Sequence, residues 1–167
     1  WHDGSPVKAA DVVYSIKRVQ DKATGSPFAP QLVAVTSAEA PDDGTVVIKL
    51  ANTVPGLLAN LAVIQIVNEA SIGSITTNPI GTGPFKFGEW APGDHIRVEK
   101  YDGHRDAAKI AAMEGRIVPD SQARLAGLQD GTLQMVALVE GKDVQQAKGI
   151  AGIEVVQTKP YVLYENF

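Results

Sequence analysis

Residues 80–85, IGTGPF, place two glycines much as a backbone cradle for phosphate would. Such a cradle also needs Lys and Ser or Thr after its last glycine, or a third glycine opening a helix, because N–H groups must converge on the anion. Here Pro84 follows and a strand pattern begins, so the glycines read as a tight turn feeding a strand. His2, His95 and His104 have Asp3, Asp94, Asp102 and Asp106 close by in sequence. Their spacing fits no metal-ligand motif, and His95 sits beside a hairpin turn, where solvated polar groups belong. Asp42 and Asp43 form an acidic pair of the kind acid/base chemistry uses, but with Gly44 beside them turn chemistry explains both. Ser5, Ser15 and Ser37 lack the strand-to-helix elbow of an activated nucleophile. These residues do not add up to a self-contained active site, and neither a metal nor a cofactor is expected.

Positioning any site falls to a chain of 167 residues, long enough to bury a core without staples. With 44% hydrophobic and 20% charged residues, the balance is that of a globular domain. The net charge is −4 and the fifteen basic residues are scattered, which argues against a nucleic-acid partner. The absence of cysteine removes disulfides, thiolate metal sites and cysteine nucleophiles together. No apolar run reaches the length that a bilayer requires.

After the turn-forming DGSP, Val12, Val13, Ile16 and Val19 recur at helical spacing, which predicts an amphipathic helix over 9–20. Lys8 is a poor N-cap, so Ser5 or Asp11 must share that task, and Tyr14 falls at the edge of the apolar stripe. Val33 and Val35, then Val46, Ile48 and Leu50, alternate on either side of the turn at 41–44, which predicts an antiparallel hairpin. Pro55 opens a short apolar helix through Leu57, Leu58 and Leu61, followed by a long irregular loop over 63–79. A second hairpin pairs the segment of Phe85 and Phe87 with that of Ile96 and Val98 across APGD, with Trp90 covering it. The rest reads as strand (115–118), helix (121–129, capped by Asp120 or Ser121), strand (133–138), helix (143–148) and strand (153–158). Two strand-helix-strand units imply right-handed crossovers and an α/β fold with a mixed sheet and antiparallel additions. The aromatic-rich PYVLYENF closes the chain as an extended run.

Three segments in order carry a resemblance: WHDGSPVKAADVVYSIKRV; AEAPDDGTVVIKL with IGTGPFKFGEW; and APGDHIRVEKYDGHRD running on to IVPDSQARLAGLQDG. Together they resemble the bacterial extracellular solute-binding proteins of family 5, the peptide/nickel-type receptors of ABC importers. Asp3, Gly4, Pro6, Ala9, Asp11 and Val12 fit the family's opening DG block; residues 81–85 match its GTGP-aromatic turn; Asp120, Arg124, Leu128 and Gly131 fit its D-x-x-x-R-x-x-x-L-x-x-G helix. The chain departs from the pattern at YDGHRD, where the family has an aromatic N-P-x-Y-W-like block, and at Gln134, where an acidic residue is usual.

The resemblance implies a periplasmic-binding-protein-like (type II) lobe, with 1–167 a single partial domain making up most of lobe one and 159–167 approaching the hinge. It further implies a non-enzymatic function: capture of a small solute such as an oligopeptide between this lobe and a second one outside the chain, then docking on an ABC permease. The expected location is periplasmic or extracellular, and a lone lobe should bind weakly or not at all. Candidate solute contacts come from irregular segments: Phe28 in GSPFAP, Gln65 and Asn68 in the long loop, and Thr82 at the glycine turn. Two rival readings stand beside this one: an interaction module that forms a homodimer through an exposed sheet edge, and, least supported, an enzyme.

Overall fold

The computed structural model describes residues 1–137, 139 and 141–156. Two compact units divide the chain, one spanning Trp1–Gly115 and the other beginning at Arg116. The elements are mixed α/β with antiparallel hairpins, as the alternating patterns predict.

In the first unit, α1 (Ala9–Gln20) has its predicted bounds and buries Ala9, Val13, Ser15, Ile16 and Val19. Lys8 makes no side-chain cap; the Asp11 carboxylate instead accepts from the Lys8 N–H at 2.9 Å, and the Ala9 N–H donates to the Asp43 carbonyl at 2.8 Å. Two of the helix's orphan donors are thereby satisfied, one by its own first turn and one by the hairpin turn. That hairpin is β1 (Val35–Asp42) with β2 (Thr45–Leu50), antiparallel, with Ala38 opposite Ile48. The helix α2 (Leu57–Ala62) follows, and within the predicted loop a 3-10 turn forms over Glu69–Ser74.

One core unites these pieces: Val13, Ile16 and Val19 of α1, Leu32, Val35 and Ala38, and Ile64, with Phe28, Leu57 and Leu61 packed against it. Ser15, also buried, ties the loop to the helix. Its hydroxyl donates to the Asp11 carbonyl at 2.7 Å and accepts from the Val67 N–H at 2.9 Å. Removing it by Ser15→Ala leaves a partly buried donor unmatched, so we expect a loss of about 1–3 kcal/mol in urea unfolding. A loss near zero would mean that water replaces the hydroxyl.

The second sheet has the order β3-β4-β5, with β3 (Phe85–Ala91) antiparallel to β4 (His95–Lys100) and β5 (Ala112–Arg116) beside β4. Trp90 pairs across the strands with Ile96 and stays 54% exposed, so it does not cover the hairpin as the sequence suggested. The strand expected at 115–118 lies earlier, over Ala112–Arg116, where it can pair with β4, and it ends before Val118 and Pro119.

In the second unit α3 (Ser121–Asp130) is capped by Asp120, whose carboxylate accepts from the Ala123 N–H at 2.7 Å, and ends at Gly131 with φ 82°. The helix α4 (Val144–Lys148) packs Ala147 with Leu125 and Leu128. Both predicted strand-helix-strand units thus have their helices, but residues 133–137 and 153–156 carry no strand pairing. Their apolar side chains, Leu133, Val136, Ile153 and Val155, bury against α3 and α4 instead. A strand is defined by its neighbour, and apolar alternation alone does not supply one. Leu138, residues 157–158 and the closing PYVLYENF lie outside the described residues.

Candidate functional site

The N-terminal segment, the glycine turn and Tyr101 meet in the first unit, far apart in sequence but joined by hydrogen bonds. His2 donates its backbone N–H to the Gly81 carbonyl at 2.9 Å. Its ring Nδ1 accepts from the Gly81 N–H at 3.1 Å, and Nε2 lies 3.0 Å from the Gly83 carbonyl. An Nδ1 that accepts is bare, so Nε2 carries the proton and donates, and the partners select this tautomer. The Tyr101 ring centroid lies 5.0 Å from that of His2. The Tyr101 hydroxyl donates to the Trp1 carbonyl at 3.2 Å, and its N–H donates to the Pro84 carbonyl at 2.9 Å. Trp1, nearly buried, sends its indole N–H to Asp11 at 3.3 Å, the same carboxylate that caps α1.

Over this junction lies an open concavity of about 520 Å³ lined by Trp1, Val7, Thr82, Tyr101, Gly103, His104 and Arg105. Trp1 of the N-terminal turn and Tyr101 supply its aromatic lining, and the rest of YDGHRD its polar side. Arg105 pairs with Asp106 at 3.3 Å and is 89% exposed, so this wall faces solvent and cannot by itself enclose a ligand.

Of the four residues expected to contact a solute, only Thr82 lines this concavity, and its side chain is exposed there. Phe28 is half-buried against the core and opens the 3-10 turn Ala29–Leu32. Gln65 is exposed on the loop after α2. Asn68 is buried, and its side chain accepts from the Ser71 N–H at 3.1 Å as the cap of the next 3-10 turn. In the sequence His2 stands out only as a metal candidate and Tyr101 not at all, because contacts spanning 79 and 100 residues leave no trace in local periodicity.

His95 is a titratable group set among opposite charges: its Nδ1 lies 2.9 Å from Asp94 and its Nε2 3.9 Å from Glu89. The hydrogen bond to Asp94, followed by the charges of Glu114, Asp94 and Glu89, raises its pKa above the ordinary 6.5, against a smaller opposing effect of desolvation. A raised folded-state pKa means the protonated ring favours the fold: its contribution is complete below about pH 6.5 and is lost as pH rises through the raised value. We expect His95→Gln to flatten the pH dependence of thermal stability in that window, while the native chain loses some stability from acid to neutral pH. Unchanged pH dependence in the variant would assign it to other groups. Among the described residues no group of three or more His, Cys, Asp or Glu is arranged to hold a metal ion, although His95 has acidic neighbours.

Comparison with known proteins gives this geometry its context. An ABC transporter peptide-binding protein of Brucella ovis is 29% identical over 98% of the chain and 33% of its own length. The crystal structure of NikZ from Campylobacter jejuni in complex with Ni(L-His) superposes with a TM-score of 0.83 at 25% identity, covering 90% of this chain and 32% of that one. The structure of AgaA from A. tumefaciens R10 in complex with agropinic acid gives 0.77 at 30% identity, covering 89% and 32%. The chain therefore spans about a third of the length of the relatives it matches. These neighbours are solute-binding proteins, not enzymes, and carry the type II periplasmic binding fold that the resemblance implied. The family profile described as bacterial extracellular solute-binding proteins, family 5, middle region, matches residues 1–167 from end to end, and the chain belongs to that family.

Proposed function

We propose that the chain is part of one lobe of the substrate-binding component of an ABC importer and takes part in capturing a peptide or related small solute. The observation that carries this reading is the family match over residues 1–167, supported by backbone agreement with NikZ over 90% of the chain. Among its relatives the Brucella protein is named for peptides, and NikZ and AgaA hold Ni(L-His) and agropinic acid. Phe28, Gln65, Asn68 and Thr82 are proposed as solute contacts. The working location is periplasmic or extracellular, and no helix among the described residues is long and apolar enough to cross a membrane.

A solute gripped between two lobes is held by contacts to both, and closure is favoured only by that joint interaction. The concavity at Trp1 and Tyr101 is open, which fits a surface that needs an opposing wall. On this reading both compact units of the chain belong to one partial lobe, and an ABC permease is the partner of the closed whole. Calorimetric titration of the chain with short peptides should show binding no tighter than about 1 mM, a gain of roughly 4 kcal/mol. The longer polypeptide carrying it should bind at micromolar levels or better. Micromolar binding by the chain alone would overturn the division between lobes, and a longer polypeptide that takes no solute would overturn the function.

One observation favours a second reading. On the β3-β4-β5 sheet, Trp90 and its cross-strand partner Ile96 are 54% and 47% exposed, apolar surface that pairing of two copies through an exposed sheet edge would help to cover. Light scattering separates the two: a clean monomer at high concentration removes the homodimer.

A further inference from the structure

Ionisable residues are distributed very unevenly in this chain. They make up 20% of the whole, yet residues 23–38 contain none, and the 36 residues of 50–85 contain one, Glu69. None of the three histidines falls in either stretch. The fold then packs residues 23–38 against 50–68. Leu32 and Ile64 share the core, with Phe28, Leu57 and Leu61 against it. The Asn60 side chain donates to the Gln31 carbonyl at 3.1 Å, and the Ala51 N–H donates to the Ala34 carbonyl at 2.9 Å. The outer surface of this block carries large apolar side chains in water, Val33 at 84% and Leu58 at 82% exposed, with Val63 and Ile66 nearer the middle of the range. Phe28 and Gln65 belong to the same block.

We propose that the block of residues 23–38 and 50–68 is the solute-facing wall of this chain and that it takes an uncharged surface: peptide backbone and neutral side chains, not a carboxylate, an ammonium or a metal ion. The proposal rests on the solute-binding reading above and names the chemistry of its ligand. A solute group pressed onto this wall loses part of its water. An ionised group would lose hydration with no countercharge in the block to replace it, whereas an amide needs only neutral partners and an apolar side chain gains. Charge depletion around exposed apolar residues is also what marks the core of a recognition surface.

The test is an amide chemical-shift titration of the 15N-labelled chain, which detects millimolar binding. The probes are N-acetylated, C-amidated trialanine, trilysine and triglutamate, each at about 20 and about 300 mM NaCl, conditions across which exposed ion pairs become largely screened. The expected result is that trialanine shifts amides near residues 28–33 and 63–68, with affinity changing less than about twofold between the two salts, and that both charged peptides bind at least about fivefold more weakly. Val33→Glu and Leu58→Glu, at exposed positions that tolerate the fold, should weaken trialanine by about fivefold or more, while Ile110→Glu outside the block leaves it unchanged. Tighter binding of a charged peptide on these residues, or a steep salt dependence, overturns the neutral wall and leaves solute binding standing. Shifts confined to the concavity of Trp1 and Tyr101 overturn the choice of surface. If no peptide moves any amide, the proposal fails for this chain, and titration of the longer polypeptide then decides separately whether the solute-binding reading fails with it.

Discussion

Leu32→Ala is expected to destabilise the first unit by about 2–5 kcal/mol, the largest effect of any single truncation in that unit. Leu32 has no exposed surface and sits among Val13, Ile16, Val19, Val35, Ala38 and Ile64, so α1, β1 and the loop after α2 lose a shared contact at once. The backbone cannot easily slide inward to fill the space. Gln20 holds it on both sides of the cavity, its side-chain amide donating to the Leu32 carbonyl at 3.2 Å and the Val35 carbonyl at 2.8 Å. A cavity that cannot collapse sits at the costly end of the range. Urea unfolding followed by tryptophan fluorescence is the measurement, and it is selective: both tryptophans, Trp1 and Trp90, lie in the first unit. A lower midpoint at unchanged slope is the expected pattern. A loss below about 1 kcal/mol would show that the core repacks around alanine.

The strongly periodic elements follow from pattern alone: α1 from apolar residues at three- and four-residue intervals, and β1 and β2 from alternation around Asp42 and Asp43. Asp42 shows the physical cause of that turn. Its carboxylate accepts from the Gly44 N–H at 2.9 Å, which holds its pKa below the usual carboxylate range. In the second unit the pattern was apolar alternation at 133–138 and 153–158, which signals burial on one face but not by what. There α3 and α4 cover Leu133, Val136, Ile153 and Val155, so the described parts of both segments bury their side chains without joining a sheet.

The candidate site was less legible than the fold, for a related reason. Phe28, Gln65, Asn68 and Thr82 all fall in irregular segments, where binding groups concentrate, and the structure distributes them among different tasks. Asn68 spends its side chain on capping, Phe28 part of its ring on the core, and Thr82 faces the open concavity. What local pattern does reveal is composition. The run without charge over 23–38 and the near-uncharged run over 50–85 are visible without coordinates, but only packing shows that residues of both form one surface.

The junction of His2 with the glycine turn leads to the second large prediction. We expect His2→Leu to release the turn at 81–83, with a cost of about 1–3 kcal/mol. Leucine keeps comparable bulk and can still meet Tyr101, and the backbone bond from residue 2 to the Gly81 carbonyl is untouched, so the change isolates the two ring hydrogen bonds. With the ring gone, the Gly81 N–H and the Gly83 carbonyl both lose their imidazole partners in a partly buried setting. Hydrogen exchange locates the effect: the Gly81 amide should exchange faster by about tenfold or more, while amides in the middle of α1 keep their protection. His2→Gln supplies the control, because a carboxamide also offers one acceptor and one donor side by side and can bridge the same two groups. Substantial rescue by glutamine, and none by leucine, would assign the effect to the paired hydrogen bonds. Equal losses in both variants would assign it to packing of the imidazole on Tyr101, and the turn would then owe its shape to Pro84 and its own glycines rather than to His2.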